Sequence, residues 1–270
     1  MVTLLPSTRG RRGPWAGPRL FCLPYAGGSA RIFDDWDRDL PDSIEVCALE
    51  LPGRGLRYNE EPLAKLDLIL QDLLNTVLPY ADESLAILGY SYGAFLGFEL
   101  ALRLEQDHGV AVRHLFAAAA RAAVWEPKFP PGFELSDEEF RARLRAMNGT
   151  PSAVLGHEEL MDLMIPSLRA DFSVADHYSY QPGPLLNCPI TAFGGAEDGI
   201  VSWESVEAWR ACTNGRFAAY RMPGDHFFLR SARTSFLRAV ASELREHTST
   251  PNEAFQEHTA GAVVKDAFSK

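Results

Sequence analysis

The strongest constraint on the fold is a short apolar run that enters a glycine–serine–glycine turn and leaves it as a helical pattern, in residues 86–100. The turn itself reads Gly89-Tyr-Ser-Tyr-Gly93. In a strand–turn–helix of this kind the serine is held beyond the sheet edge, where its hydroxyl can attack a carbonyl. Glycines stand where the turn crowds the backbone and a side chain would clash. The pattern therefore predicts that Ser91 is a nucleophile.

Further apolar runs have strand character and alternate with helical stretches: Arg19–Leu23, Ile44–Leu49, Val112–Ala118, Cys188–Phe193 and Arg216–Met222. The best helical stripe repeats leucine, isoleucine and valine at helical spacing from Leu66 to Val77, and Pro79 ends it. Strands that alternate with helices predict an α/β fold with a mostly parallel, doubly wound sheet.

Residues from about 125 to 180 break this alternation, because they contain no clear core strand. A capping box at Ser136 and Glu139 starts one helix there. A second helical segment is interrupted by Pro166, which can begin a new helix at its first turn. We interpret the insertion as a helical lid. Its apolar side chains pack onto the core or line a tunnel for an acyl chain: Met161, Met164 and Phe172.

The two ends of the chain differ from the middle. Residues 1–18 are rich in glycine, proline and arginine and lack acidic residues, so they are predicted to be a flexible N-terminal arm. Residues 19–246 are predicted to form the α/β domain that carries the lid. Residues 247–270 are polar with little periodicity and are predicted to be a disordered tail.

Composition narrows the class of protein. A chain of 270 residues fits one α/β domain with an insertion, and its net charge of −10 argues against nucleic acid as a partner. No apolar run reaches the length of a membrane span, so no membrane partner is expected. The four cysteines lack metal-like or C-x-x-C spacing, which indicates a reducing, cytoplasmic setting and no metal site. Cys22 and Cys47 lie in apolar runs and are predicted to be buried thiols.

A serine nucleophile needs a base, and the base needs an acid to hold its tautomer. Asp198 and His226 each lie in a turn just after a predicted strand, as Ser91 does, so all three should meet at one sheet edge. Glu197 and Asp225 are alternatives for the acid, but their positions give poorer geometry. The chain order Ser, Asp, His is that of the α/β-hydrolase fold.

The reaction also needs hydrogen-bond donors for the oxyanion that forms on the carbonyl. In this fold one donor is the backbone amide of the residue after the nucleophile, Tyr92. The other should come from the turn Pro24-Tyr-Ala-Gly-Gly28, where Ala26 is the first choice and Tyr25 the second. No dinucleotide fingerprint is present in this turn, and no cofactor is expected.

Several blocks together resemble type II thioesterases, the free-standing editing hydrolases of polyketide and nonribosomal peptide assembly lines. They are Leu20-Phe-Cys-Leu-Pro-Tyr-Ala-Gly-Gly-Ser-Ala30, Leu51-Pro-Gly-Arg54, Gly89-x-Ser-x-Gly-Ala94 with Phe98-Glu-Leu-Ala101, and Gly224-Asp-His-Phe-Phe-Leu229. The resemblance implies an α/β-hydrolase fold with a mobile helical lid and the triad Ser91, Asp198 and His226. It also implies hydrolysis of acyl groups from the phosphopantetheine arm of acyl or peptidyl carrier proteins, by an enzyme that we expect to be a monomer.

In one respect the chain departs from that family, which often has histidine before the nucleophile and methionine after it. Here both positions are tyrosine, Tyr90 and Tyr92, and their rings are predicted to narrow the pocket. The predicted substrate pocket comprises Tyr25, Tyr90, Met161, Met164, Phe172 and Phe227. Because the expected carrier partners are acidic, a local basic patch is predicted at the entrance, drawn from Arg54, Arg57, Lys128 and Arg230.

Other activities remain open at this stage. A general carboxylesterase, a lipase or an acyltransferase could use the same fold and the same serine. A binding protein on an inactive hydrolase scaffold is a further alternative, although the presence of all three triad residue types argues against it.

Overall fold

One mixed sheet organises the molecule. The computed structural model describes residues 3–6, 17–81, 84–125, 135–146, 157–246 and 263–266. In these residues the sheet has eight strands in the order β1-β3-β2-β4-β5-β6-β7-β8. The strands are β1 Thr3–Pro6, β2 Arg19–Leu23, β3 Glu45–Glu50, β4 Leu85–Tyr90, β5 His114–Ala118, β6 Ile190–Gly195, β7 Phe217–Met222 and β8 Val263–Asp266.

Every neighbouring pair in the sheet is parallel except β1 with β3. All residues of β4 and β5 are buried, which explains why these strands read as continuous apolar runs without alternation. The six strands predicted from the sequence are confirmed, and so is the α/β-hydrolase fold class. The parallel register brings the carboxyl ends of β2, β4, β6 and β7 to one edge, where the turns that follow them lie together.

Helices cover both faces of the sheet. The α-helices are α1 Trp36–Asp39, α2 Leu66–Val77, α3 Tyr92–Asp107, α4 Asp137–Ala146, α5 Glu158–His177, α6 Trp203–Glu207, α7 Phe228–Ser231 and α8 Arg233–Glu246. One buried cluster joins α2 and α3 to one face of the sheet. A second cluster joins α1 and α8 to the other face, with Trp36 against Phe236. This is the doubly wound arrangement that the alternating pattern predicted.

The helical stripe of α2 packs as its spacing predicts. Ile69, Leu70, Leu73 and Val77 are buried against the sheet-side cluster, and burial of each such side chain stabilises the fold by roughly 1.5–3 kcal/mol. The helix ends just before Pro79, where a single 3-10 turn follows. Cys22 and Cys47 are also buried, as predicted, and burial raises the pKa of the Cys22 thiol well above its ordinary value.

The insertion is helical in its described part, with α4 and α5 packed on each other. The Ser136–Glu139 capping box is present, since Ser136 N donates to Glu139 Oε2 at 2.9 Å and Glu139 N donates to Ser136 Oγ at 3.3 Å. Phe140 and Phe172 meet edge to face at 5.5 Å inside a small cluster of their own. The insertion therefore has a core that is separate from the two clusters on the sheet.

One expectation about the insertion is wrong. Pro166 does not begin a new helix, because α5 runs through it from Glu158 to His177. A proline inside a helix removes one backbone hydrogen bond and crowds the preceding turn. Burial of Ile165 and Leu168 on either side of it holds the helix together in spite of that loss.

Both ends of the chain contribute a strand that the sequence pattern did not predict. Thr3–Pro6 pairs antiparallel with β3, and Val263–Asp266 pairs parallel with β7. These strands lie at the two edges of the sheet, so parts of the predicted flexible arm and disordered tail are paired. The rest of the arm before residue 17 and of the tail after residue 246 lies outside the described residues. Among the described helices, none has the length and apolar character needed to span a membrane.

Candidate active site

Ser91 occupies a strained turn between β4 and α3. Its backbone has φ of 53° and ψ of −115°, a conformation that a non-glycine residue adopts only when its surroundings impose it. Two hydrogen bonds hold the turn: Ser91 N donates to Ala118 O at 2.7 Å, and Ala94 N donates to Ser91 O at 2.9 Å. The turn lifts the serine side chain out of the sheet edge, as the motif predicts.

The two glycines of the motif are required by close backbone approach. A Cβ atom at Gly89 would lie 2.1 Å from Gly93 O, and one at Gly93 would lie 2.2 Å from Leu23 O. Both distances are far below a van der Waals contact, and the obstructing atoms are backbone atoms that cannot rotate away. The predicted reason for these glycines is therefore confirmed.

We expect Gly93→Ala to lower the free energy of unfolding by about 3 kcal/mol or more, because the new methyl group pushes β2 and α3 apart. Urea denaturation followed by circular dichroism measures this effect. Gly183→Ala is the matched control, since a Cβ there meets only Gln181 O at 3.7 Å. Equal stability of the two variants would contradict the steric explanation.

The three residues predicted to form a triad lie in one hydrogen-bonded chain. His226 Nε2 is 3.0 Å from Ser91 Oγ, and His226 Nδ1 is 2.8 Å from Asp198 Oδ2. Each residue comes from a different turn at the carboxyl edge of the sheet, after β4, β6 and β7. His226 and the side chain of Asp198 are buried, so water competes little for these contacts.

The surroundings of Asp198 favour its ionised form. Burial by itself would raise the pKa of Asp198, but the hydrogen bond and charge of His226 and the amides of Val201 and Ile200 outweigh it and lower the pKa below its ordinary value. Asp198 Oδ1 accepts those two amides at 3.0 and 2.8 Å. An ionised carboxylate only accepts, so His226 Nδ1 carries a proton; in the neutral ring Nε2 then presents a lone pair to the serine hydroxyl.

The alternative acids are placed elsewhere. Asp225 is exposed, and its Oδ1 accepts the Phe227 amide at 2.8 Å. Glu197 is also exposed. Of the three carboxylates in these two turns, Asp198 is the one bonded to the His226 ring.

The two residues predicted to supply oxyanion donors, Tyr92 and Ala26, line the space at Ser91. Tyr92 is the first residue of the 16-residue helix α3, so its N–H has no acceptor within the helix and lies at the positive end of the helix dipole. Ala26 lines the same space as Ser91 and His226, in the turn after β2. Tyr25, the second choice for this donor, opens that turn.

Two cavities meet at Ser91 and share five wall residues, which are Ala26, Ser91, Phe172, Ile200 and His226. Cavity A, of about 220 Å³, is further lined by the loop after β5, by Phe95 and Tyr178, and by Val201. Cavity B, of about 470 Å³, is further lined by the turns after β2 and β3 and by one side of α5. Most of the lining is apolar, and Ser91 and His226 lie where the two spaces join.

Four of the predicted pocket residues line these cavities. Tyr25, Met164 and Phe227 line cavity B, and Phe172 lines both. Met161 needs correction, because it is buried in the helical cluster of the insertion and packs with Phe140 and its neighbours. The sequence pattern could not separate a cavity-facing methionine from one that faces the partner helix.

Tyr90 also needs correction, since its side chain is wholly buried beneath the site and lines neither cavity. Its hydroxyl donates to His226 O at 2.7 Å and accepts from Leu229 N at 3.3 Å. Tyr90 therefore braces the turn that carries the histidine. Tyr92 does line cavity A, as expected of a residue that narrows the pocket.

The predicted basic patch is wrong for two of its four members. Arg54 is buried and forms a two-pronged ion pair with Asp171. Arg57 is buried as well, against Glu60 and Asp72. Both lie in the loop after β3, where burial is balanced by carboxylate partners rather than left for a docking protein.

The other two members differ. Arg230 is exposed on the wall of cavity B and donates to Tyr25 Oη at 2.8 Å, so it remains a candidate at the entrance. Lys128 lies outside the described residues.

Sequence reasoning missed Asp171, a carboxylate of α5 that is fully buried and lines cavity A. A signal was present, because Asp171 stands three residues after Leu168 and next to Phe172, on the apolar face of the helix. A charge on such a face demands a partner, and the conspicuous arginine in Leu51-Pro-Gly-Arg54 is that partner.

Residues 18–244 match the family model described as "Thioesterase domain". The gramicidin S biosynthesis protein GrsT of Aneurinibacillus migulanus is 42% identical over 231 residues, which cover 84% of this chain and 89% of GrsT. Thioesterase PikA5 of Streptomyces venezuelae is 35% identical over 220 residues, covering 80% of this chain and 77% of PikA5.

A solved structure agrees with these sequence matches. The type II thioesterase BorB from the borrelidin biosynthetic cluster superposes with a TM-score of 0.77 at 32% identity, covering 90% of this chain and 96% of BorB. The matched region includes all three residues of the hydrogen-bonded chain at the sheet edge. The chain belongs to the thioesterase domain family.

Proposed function

We propose that this protein is a serine thioesterase that hydrolyses acyl groups from the phosphopantetheine arm of acyl or peptidyl carrier proteins. Its role would be to remove aberrant or stalled acyl chains during polyketide or nonribosomal peptide biosynthesis. The observation that carries the proposal is the hydrogen-bonded chain Ser91–His226–Asp198 at the junction of two cavities, within a thioesterase family domain.

The first half of the proposed reaction forms an acyl-enzyme. His226 Nε2 takes the proton of Ser91 Oγ as that oxygen attacks the thioester carbonyl carbon. The carbonyl oxygen becomes an oxyanion, which the amides of Tyr92 and Ala26 stabilise. The C–S bond then breaks, and the sulfur leaves as a thiol with the proton from His226. Asp198 stabilises the imidazolium between these two proton transfers.

The second half releases the acid. Water gives a proton to His226 Nε2 and attacks the carbonyl carbon of the serine ester. The same amides hold the second oxyanion, and the C–Oγ bond breaks. Ser91 Oγ recovers its proton from His226, so the enzyme returns to its starting state with a free carboxylic acid as product. These steps use only protein groups and water.

The two cavities suit a substrate with two long arms. A thioester carbonyl at Ser91 has an acyl chain on one side and a pantetheine chain on the other, and each arm needs its own path. Cavities A and B share five wall residues around Ser91 and His226, and the rest of each lining is different, which supports such a placement. The pathway part of the proposal is supported by the relatives named for gramicidin S and borrelidin biosynthesis. We further propose that the enzyme acts as a cytoplasmic monomer.

The proposal predicts a ranking of substrates. For one acyl group, we expect kcat/KM to be about 10- to 100-fold higher for the carrier-bound thioester than for its N-acetylcysteamine thioester, because the carrier adds binding energy far from the carbonyl. The p-nitrophenyl ester of the same acid should be the poorest substrate when rates are corrected for its spontaneous hydrolysis. Thiol release and ester cleavage are followed by absorbance. A clear preference for oxygen esters would favour a general carboxylesterase instead.

A further inference from the structure

Three elements that are far apart in sequence converge on the carboxylate of Asp171. Asp171 Oδ2 accepts Gly27 N at 2.8 Å from the turn after β2, and the same oxygen accepts Arg54 Nη1 at 2.5 Å from the loop after β3. Asp171 Oδ1 accepts Arg54 Nη2 at 2.9 Å. Asp171 itself belongs to α5 of the insertion. The carboxylate therefore ties the insertion to two loops of the sheet domain.

The Gly27 bond acts on the turn that holds Ala26. Gly28 N donates to Tyr25 O at 2.8 Å, which closes a β-turn with Ala26 and Gly27 at its centre. Gly27 has φ of +71°, as the third residue of a type II turn requires. Its N–H belongs to the central peptide, the group whose rotation converts one turn type into another. Anchoring that N–H on Asp171 holds ψ of Ala26 and φ of Gly27, and so fixes the shape of the turn that carries the Ala26 amide.

Apolar packing supports the same anchor. A Cβ at Gly27 would lie 2.4 Å from Leu168 Cδ2, so α5 presses directly on the turn. Leu168 and Asp171 are three residues apart on one face of α5. Leu168 packs against Gly27, and Asp171 accepts its N–H. The insertion helix is thus part of the support of the turn, besides being a wall of the cavities.

Arg54 makes this use of a buried carboxylate possible. Asp171 is fully buried, and an unpaired charge there would be strongly unfavourable. The guanidinium meets both carboxylate oxygens in a fork, which fixes the carboxylate plane while leaving Oδ2 able to accept Gly27 as well. Arg54 Nε donates to Pro52 O at 3.3 Å, so the arginine is itself held by its own loop.

We propose that Asp171, held by Arg54, is a positioning residue that orients the Ala26 amide for the oxyanion. The inference rests on the proposed hydrolase function. It assigns to the insertion a part in transition-state stabilisation, because α5 contacts the turn that contains Ala26 and Gly27. Its consequence is a loss of kcat with little change in KM when Gly27 loses its acceptor, because the misplaced amide matters only once the oxyanion forms.

The test compares two double variants that both remove the buried ion pair. Arg54→Met/Asp171→Asn keeps an oxygen that can accept Gly27 N–H, whereas Arg54→Met/Asp171→Leu does not. Replacing both charged partners together avoids stranding either charge, so both proteins should fold. Thermal denaturation verifies this. With hexanoyl-N-acetylcysteamine, we expect kcat of the leucine variant to be about 10- to 100-fold below that of the asparagine variant, at similar KM.

A transition-state analogue adds a readout that a purely structural role would not move. A trifluoromethyl ketone analogue of the hexanoyl thioester forms a tetrahedral oxyanion on the serine. From the asparagine to the leucine double variant, the inhibition constant of this ketone should rise by the same factor as kcat falls. An inert thioether analogue of the hexanoyl substrate, which cannot form an oxyanion, should bind both variants equally. Arg57→Met/Asp72→Leu is the matched control, because it removes another ion pair of the same loop, in which buried Arg57 meets the partly buried carboxylate of Asp72 on α2. Its kcat should stay near that of the wild type.

Equal kcat values for the two double variants would overturn the proposal, as would parallel losses of inhibitor and thioether binding. The ratio of the kcat values of the two double variants is also measured with p-nitrophenyl hexanoate. If the wild type cleaves that ester but not thioesters, the proposed function fails, while the ratio between the double variants still decides the role of Asp171.

Discussion

Replacing Ser91 with alanine should reduce kcat on a carrier-bound thioester about a millionfold, to the rate left by binding and the oxyanion donors alone. In the proposed mechanism Ser91 Oγ forms the acyl-enzyme, and it lies 3.0 Å from His226 Nε2, the proposed base. Single-turnover assays with an acyl chain labelled on the carrier measure the loss. Mass spectrometry of the wild type should show an acyl adduct that the variant lacks.

Ser235→Ala is the matched control for this prediction. It removes a hydroxyl of the same type, in the first turn of α8, that donates at 2.9 Å to the carbonyl of Ala232 just before the helix. Its kcat should equal that of the wild type. Turnover by Ser91→Ala at more than about a hundredth of the wild-type rate would be incompatible with a serine nucleophile at this position.

Asp198→Asn should lower kcat about 10⁴-fold while leaving the fold intact. The asparagine oxygen can still accept the Ile200 and Val201 amides, which bond to Asp198 Oδ1. Its NH₂ group then faces His226 Nδ1, so the ring must accept there and carry its proton on Nε2. That tautomer cannot take the serine proton, and the imidazolium also loses its negative partner.

Steady-state kinetics with thermal denaturation distinguishes this chemical effect from unfolding. Asp225→Asn is the control, because it changes an exposed carboxylate adjacent to His226 whose Oδ1 accepts the nearby Phe227 N. We expect that variant to keep its activity within a fewfold. A comparable loss in both variants would mean that general electrostatics, rather than the bond to His226 Nδ1, sustains the reaction.

Most strands and helices of the fold can be predicted from the sequence, because the patterns that indicate them are local. The continuous apolar run at residues 114–118 and the helical stripe of α2 are each patterns within about a dozen residues, and both elements form where the pattern indicates. The edge strands Thr3–Pro6 and Val263–Asp266 were not predicted, because a four-residue strand is too short to show a clear periodicity. Their pairing is set by the neighbouring strands β3 and β7.

The residues of the candidate site also fall into those that the sequence placed correctly and those that it did not. Ser91, Asp198 and His226 could be singled out because a parallel sheet brings the ends of its strands to one edge, so a turn after each strand is enough to place them together. Tyr90 was misplaced because the motif shows which residue precedes the serine but not on which side of the strand its ring lies. Burial beneath the His226 turn decided that.

The sequence by itself determined the six central strands of the sheet, the turn at Ser91 and the order of the three candidate triad residues, because each rests on a short-range pattern or on the regular geometry of parallel strands. Only the tertiary structure decided the partners of the charged groups. Arg54 and Asp171 are 117 residues apart, and Gly27 and Asp171 are 144 apart. An arginine looks the same in sequence whether it faces a carrier protein or a buried carboxylate, since its burial depends on which distant helix packs over it.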